Sequence, residues 1–145
     1  GGLTLTSTAG NITINGNLAT TGESSAGAVN ITAGGGDITL GANVSISTDS
    51  TSDQAISLGN VIDGGSDFTL TLDAGSQNVT LADIGTGGDK IGALTVSEAG
   101  IVTFNGNVET ADIDVQSANS VVIASGKTLD ANSGNTWYVV RCVTG

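Results

Sequence analysis

The residues best suited to hold a ligand are acids set among glycines. Gly34-Gly35-Gly36-Asp37, Asp63-Gly64-Gly65-Ser66-Asp67 and Gly87-Gly88-Asp89 place carboxylates in tight, backbone-rich turns. Calcium takes several carboxylate and carbonyl oxygens from such turns, so Asp37, Asp63, Asp67 and Asp89 are the candidate metal ligands. The spacing is irregular, and no full Gly-Gly-x-Gly-x-Asp nonapeptide is present. Turn-forming Gly and Asp explain the same letters without a metal. No other cofactor is expected.

Catalysis has less to work with. The chain holds no His, so a nucleophile would lack the usual base. Cys142 lies beside Arg141, with no acid–base partner in view. Two carboxylate pairs, Asp112 with Asp114 and Asp63 with Asp67, are the material for a glycosidase. Asp112 and Asp114 would share one strand face, since i and i+2 point the same way. A sugar cleft usually offers aromatic stacking, and only 3% of this chain is aromatic. The expectation is therefore that the protein is not an enzyme. Asn-x-Ser/Thr triplets start at Asn11, Asn30, Asn43 and Asn78. Each fits a glycan acceptor, and each also fits an Asn stacked in a ladder at a strand entry. Rows of Thr such as Thr4, Thr6, Thr69, Thr71 and Thr80 would suit ordered water, or simply an exposed strand face.

The elements that must position these residues are short strands. Apolar and polar residues alternate in Leu3-Thr4-Leu5-Thr6, Ile12-Thr13-Ile14, Val29-Asn30-Ile31-Thr32, Ile38-Thr39-Leu40 and onward to Val121-Val122-Ile123. Period-two alternation reads as half-buried strand. Each run is three to five residues long, and Gly, Asn, Asp and Ser fill the gaps. With 23 Gly and many β-branched residues, no stretch reads as helix.

Leu5 to Ile14, Ile31 to Leu40 and Leu72 to Leu81 are each nine residues apart, and Val115 to Ile123 is eight. Aligning Leu5, Ile31, Leu58, Leu72, Val96 and Val115 gives repeats of 19 to 27 residues, apart from a shorter step between Leu58 and Leu72. Irregular repeats built of short strands predict an all-β fold, a parallel β-helix (solenoid) of about five to six turns over residues 1–135. The alternative is a β-sandwich, which shares the strand spacing but usually adds Pro-bearing turns, a core Trp and longer strands. Small aliphatics make up most of the 38% hydrophobic fraction and can fill only a thin core.

Residues 136–145 break the pattern. Thr136 to Cys142 holds the only Trp, Tyr, Arg and Cys. Trp137, Tyr138, Val139 and Val140 are the candidate assembly residues, in a cap or in a strand that docks on another subunit. The opening Gly1-Gly2 is expected of a segment processed from something longer.

Charge narrows the partners. Fourteen acids against three bases give a net charge of -11. Such a chain repels phosphate backbones and anionic membrane surfaces. No run approaches the ~18 apolar residues of a membrane span. Head-to-tail self-association is the partner most expected, because both ends of a solenoid are open edges.

The runs Gly10-Asn11-Ile12-Thr13-Ile14-Asn15-Gly16-Asn17-Leu18, Gly36-Asp37-Ile38-Thr39-Leu40-Gly41-Ala42-Asn43-Val44 and Ile101-Val102-Thr103-Phe104-Asn105-Gly106-Asn107-Val108 resemble filamentous-haemagglutinin-type repeats. The resemblance covers roughly residues 1–135 and is one of style more than of a sharp motif. That family comprises large bacterial surface and secreted adhesins. The resemblance implies a right-handed parallel β-helix, an extracellular or cell-surface location, and host or matrix glycans or proteins as partners. It brings no catalytic residues with it. The function expected is a structural or adhesive module, with a calcium- or carbohydrate-binding repeat module as the alternative.

Overall fold

A strand of three aliphatic and polar residues in alternation has one apolar edge and nothing of its own to bury it against. The computed structural model, which describes residues 1–22 and 26–131, resolves this by coiling. The chain is all-β with parallel strands stacked in about five turns of a solenoid. The sandwich alternative is excluded, because every strand pairing is parallel among the described residues.

Each turn has three faces. The first face stacks β1 (Leu3–Ser7), β4 (Val29–Ala33), β7 (Ile56–Leu58), β10 (Val79–Leu81), the second half of β11 (Ile91–Phe104) and β13 (Ala118–Ile123). The second face stacks β2 (Ile12–Ile14), β5 (Ile38–Leu40) and β8 (Val61–Asp63). It continues through single bridges at Ile84 to Val108, then to β14 (Leu129–Ala131). The third face stacks β3 (Leu18–Ala19), β6 (Val44–Ser47), β9 (Leu70–Asp73), the first half of β11 and the second half of β12 (Val108–Val115). Among the described residues the helical content is one 3-10 turn at Thr86–Gly88. No helix among the described residues is long and apolar enough to cross a membrane.

Like stacks on like. One inward column of the first face runs Leu5, Ile31, Leu58, Leu81, Phe104, Ile123. One of the third runs Leu18, Ile46, Leu72, Val96, Val115. The alignment expected from the sequence joined the top of the first column to the bottom of the second. Leu58 pairs with Leu81, not with Leu72. The error has a physical cause. The nine-residue step from Leu5 to Ile14 leads from the first face to the second, whereas the step from Leu72 to Leu81 leads from the third face to the first face of the next turn. Equal spacing marks different corners.

The turns also shorten. Successive rungs of the first face lie 26 residues apart at Leu3 and Val29, 27 at Val29 and Ile56, 23 at Val79 and Val102, and 19 at Val102 and Val121. The corner between the second and third faces closes in the fifth turn, where Val108–Val115 is one strand, and the corner after the third face contracts before it. In the first two turns that corner is a loop closed by a Thr hydroxyl. Thr20 Oγ1 donates to the Gly27 carbonyl, and the fully buried Thr48 donates to the Gln54 carbonyl. By β11 the corner has almost gone, so two strands fuse into one of 14 residues with a register shift between Val96 and Glu98. This is why β11 exceeds the three to five residues expected.

The core is a single aliphatic stack with one aromatic, Phe104, fully buried in it. Each such side chain contributes about 1.5–3 kcal/mol of hydrophobic stabilisation. Phe104→Ala is expected to destabilise the chain by about 3–5 kcal/mol. Its neighbour Thr103 points outward, and Thr103→Ala should stay within about 0.5 kcal/mol. Urea denaturation of the two variants checks the contrast.

Candidate functional site

The acids and glycines of the turns collect at two corners. The first lies between the second and third faces, in the third and fourth turns. Asp63 ends β8, and its carboxylate turns back over the loop that follows. Oδ2 accepts the N–H groups of Gly65 (2.5 Å), Ser66 (2.6 Å) and Asp67 (3.1 Å), and Oδ1 accepts that of Phe68 (2.8 Å). Gly65 has φ of 109° and Asp67 has φ of 51°, so the loop needs residues that tolerate the left-handed region. The next turn joins it, as Asp63 N–H donates to the Asp89 carbonyl at 2.9 Å. Together the two loops form an open cleft of about 270 Å³ lined by Asp63, Gly65, Asp67, Gly88, Asp89 and Lys90.

The structure thus brings together three of the four expected metal ligands. Asp37 lies elsewhere, at the entry to β5, where its N–H donates to Asn11 Oδ1 and its carbonyl accepts from Ile12 N–H. Among the described residues, no group of three or more His, Cys, Asp or Glu side chains is arranged to hold a metal ion. Asp63 explains why. Its oxygens are directed at four amides of its own loop rather than at a shared point in the cleft. Partial burial pushes its carboxyl up, but the four N–H donors together outweigh that and hold it below the ordinary carboxylate value.

The second acidic corner follows the third face in the second and third turns. Asp53 spans it. Oδ2 accepts Ser76 N–H (2.8 Å) and Ser76 Oγ–H (2.7 Å), and Oδ1 accepts Ser50 N–H (3.0 Å). The Ser76 N–H, followed by the Ser50 N–H, draws its pKa down to about 2. Asp49 beside it moves the other way. Its carboxyl is raised by desolvation first, then by the charges of Asp73 and Asp53.

A third arrangement runs the length of the coil. The side-chain carbonyl of a residue just before a strand accepts the N–H of the equivalent residue one turn on. Asn11 does this to Asp37, Asn17 to Ser45, Asn43 to Thr69, Asn78 to Ile101, Asp83 to Asn107 and Asn107 to Thr128, at 2.7–3.2 Å. In four of these the next residue, Ile12, Val44, Ile84 or Val108, returns a backbone N–H bond at 2.8–3.0 Å to the carbonyl of the same partner. Three of the four glycan-acceptor triplets, those at Asn11, Asn43 and Asn78, therefore begin on ladder residues. Asn30 points outward from β4 and is exposed. The ladder was detectable in the sequence as Asn or Asp one residue before an aliphatic strand. Asp53 had no such mark.

The other candidate pairs are not brought into a cleft. Asp112 and Asp114 lie on the outward side of β12, opposite Ala93 and Thr95, and Asp114 accepts from Gln116 Nε2 at 2.9 Å. Trp137, Tyr138, Val139 and Val140, and with them the break at residue 136, lie outside the described residues. With the geometry in place, comparison with models of protein families, with curated proteins and with solved structures finds no match to this chain.

Asp53 ionises more easily in the fold than in the unfolded chain, so its contribution to stability is full above pH ~4 and fades as pH falls towards about 2. Asp49 has the opposite sign, and its contribution fades as pH rises through its raised value. Asp53→Asn should speed amide exchange at Ser50 and Ser76 near neutral pH and flatten the acid limb of that corner, as read by NMR. Calcium is expected to leave the Tm of the whole chain unchanged. A rise that Asp63→Asn abolishes would instead make the cleft a calcium site.

Proposed function

We propose that the chain is a structural or adhesive β-solenoid module of an extracellular or cell-surface protein, with a mechanical rather than a catalytic role, and that it polymerises end to end. One observation carries this reading. The inward rows run to both ends of the described coil and stay partly open there. Ile123 belongs to the inward column of the first face, yet it is 47% exposed. At the opposite end Leu3, Leu5, Ile12 and Leu18 are only partly buried against the core. A further turn stacked at either end would close these rows with the same ladder that joins the turns within the coil. The outer surface supports the same reading. Thr, Ser, Asn and Asp dominate it, and with a net charge of -11 it stays hydrated and suits polar contacts with host or matrix glycans or proteins.

Sedimentation velocity over a range of concentration, with electron microscopy of the same samples, tests the proposal. Six rungs at ~4.8 Å predict growth in steps of about 30 Å along the axis. Ile123→Lys places a charge in the open inward row and should stop the growth without unfolding the coil. A monodisperse monomer at high concentration, with exchange-protected amides in β1 and β13, would overturn it.

A further inference from the structure

The Asn-x-Ser/Thr triplets at Asn11, Asn30, Asn43 and Asn78 carry the same letters but stand in two different settings. A carboxamide nitrogen is a poor nucleophile, because it shares its lone pair with the carbonyl. Glycosylation of Asn therefore requires a carboxamide that can turn in a transferase site, with the hydroxyl two residues on at its side. The fold leaves one of the four side chains free to turn and holds the other three.

Asn11, Asn43 and Asn78 stand at strand entries, where each carboxamide replaces a missing backbone acceptor. Asn11 Oδ1 accepts Asp37 N–H (3.0 Å), and its Nδ2 donates to Thr39 Oγ1 (3.3 Å). Asn43 Oδ1 accepts Thr69 N–H (3.0 Å), and Asn78 Oδ1 accepts Ile101 N–H (3.1 Å). Two of these carboxamides also lie against a glycine of the next turn. A methyl group on Gly36 would collide with Asn11 Oδ1, and one on Gly100 would press on Asn78 Oδ1. Turning any of the three opens a bond between turns.

Asn30 lies inside β4. Its backbone is paired on both sides, with Thr4 of β1 and Ser57 of β7, so the ladder asks nothing of its side chain. Among the described residues its carboxamide makes no hydrogen bond. Asn30 and Thr32 point outward and are exposed, and Ile31 between them is fully buried. The outer neighbours Thr4, Thr6 and Ser57 are short and uncharged. Rungs flank Asn30 on both sides, so further turns at either end of the coil would leave it just as open.

We propose that Asn30 is a glycan-attachment site, and that the fold withholds Asn11, Asn43 and Asn78 from the same reaction. The donor is a sugar activated by a phosphate at its anomeric carbon, carried on a lipid or a nucleotide and brought by a transferase that reads the triplet. Asn30 Nδ2 attacks the anomeric carbon and a C–N bond forms. The bond from that carbon to the phosphate oxygen breaks, and the phosphate leaves with the electron pair. Nδ2 gives one of its two protons to a base of the transferase, and nothing is oxidised or reduced. The glycan stands off the first face, away from the inward rows. It blocks flat packing of that face against another coil and leaves both ends free to stack. That the chain meets a transferase rests on the extracellular location proposed above, whereas the acceptor geometry does not depend on assembly.

The test gives the folded whole chain to two triplet-reading transferases in separate arms, one with a lipid-linked and one with a nucleotide-linked sugar, followed by peptide mass mapping. In at least one arm the Asn30 peptide is expected to gain the sugar about ten-fold faster than the other three, since each of those must first open a ladder bond. Asn11-Ile12-Thr13 and Asn30-Ile31-Thr32 are the same triplet, so their ratio reads the fold rather than the letters. Asn30→Gln and Thr32→Val should each abolish the modification and Thr32→Ser should keep it, all with unchanged circular dichroism. An Asn30 that stays bare in both arms, equal rates at the four triplets, or a faster Asn11, Asn43 or Asn78 would each overturn the proposal. Sedimentation of the same samples reads assembly separately, so either reading can fail alone.

Discussion

The structure depends on the parallel backbone ladder that runs along the coil axis. No turn can satisfy its own strand amides, because each strand's partners are the strands one turn before and one turn after. The inward aliphatic rows obey the same rule, since a turn buries its apolar edge only against its neighbours. Stability is thus a property of contacts between turns, as in other repeat folds. The outermost described rungs carry the same residue types as the rungs inside. Ile123 sits in the same column as Phe104 and differs from it mainly in having no described residue stacked beyond it.

Corners are where the ladder would fail. At a strand entry the chain changes direction, and one amide of the next turn loses its backbone acceptor. Asn and Asp repair this with a side-chain carbonyl, and the reciprocal N–H bond from the following residue makes the repair two-sided at Asn11, Asn43, Asp83 and Asn107. Asp63 and Asp53 do the same for whole loops, collecting amides that no strand can pair. Of the four acids that resemble metal ligands in the sequence, Asp63 is spent on backbone donors. A carboxylate that accepts four N–H bonds has few lone pairs left for a cation.

This explains what the sequence disclosed and what it hid. Strand positions were legible from period-two alternation, because each strand buries one edge and wets the other. The stacking columns were not. A three-faced coil has three kinds of corner with independent lengths, and a single offset cannot tell them apart. Leu58 was therefore matched to Leu72 instead of Leu81. Leu18-Ala19 in β3 is too short to alternate and Val61-Ile62-Asp63 in β8 does not, so both were overlooked, and β7 and β14 were not picked out as strands either. At the site, Gly and Asp clusters marked the loops correctly, and Asp63, Asp67 and Asp89 do meet. The direction in which Asp63 points could not be read, since it is set by loop amides whose positions depend on φ at Gly65 and Asp67.

Variation between turns is greatest at the corners, and this bears on where function can arise. The three faces are constrained by their columns: an inward residue must match the one below it and the one above. Corner loops carry no such constraint, and their lengths differ from turn to turn without altering the core. One recess forms where two successive turns both carry long loops at the same corner. That occurs beside Asp63 and Asp89, where the loop after β8 and the loop holding the Thr86–Gly88 turn lie one above the other. A solenoid of this kind gains recognition surface by lengthening adjacent corners in register, and it can do so without changing any residue of its core.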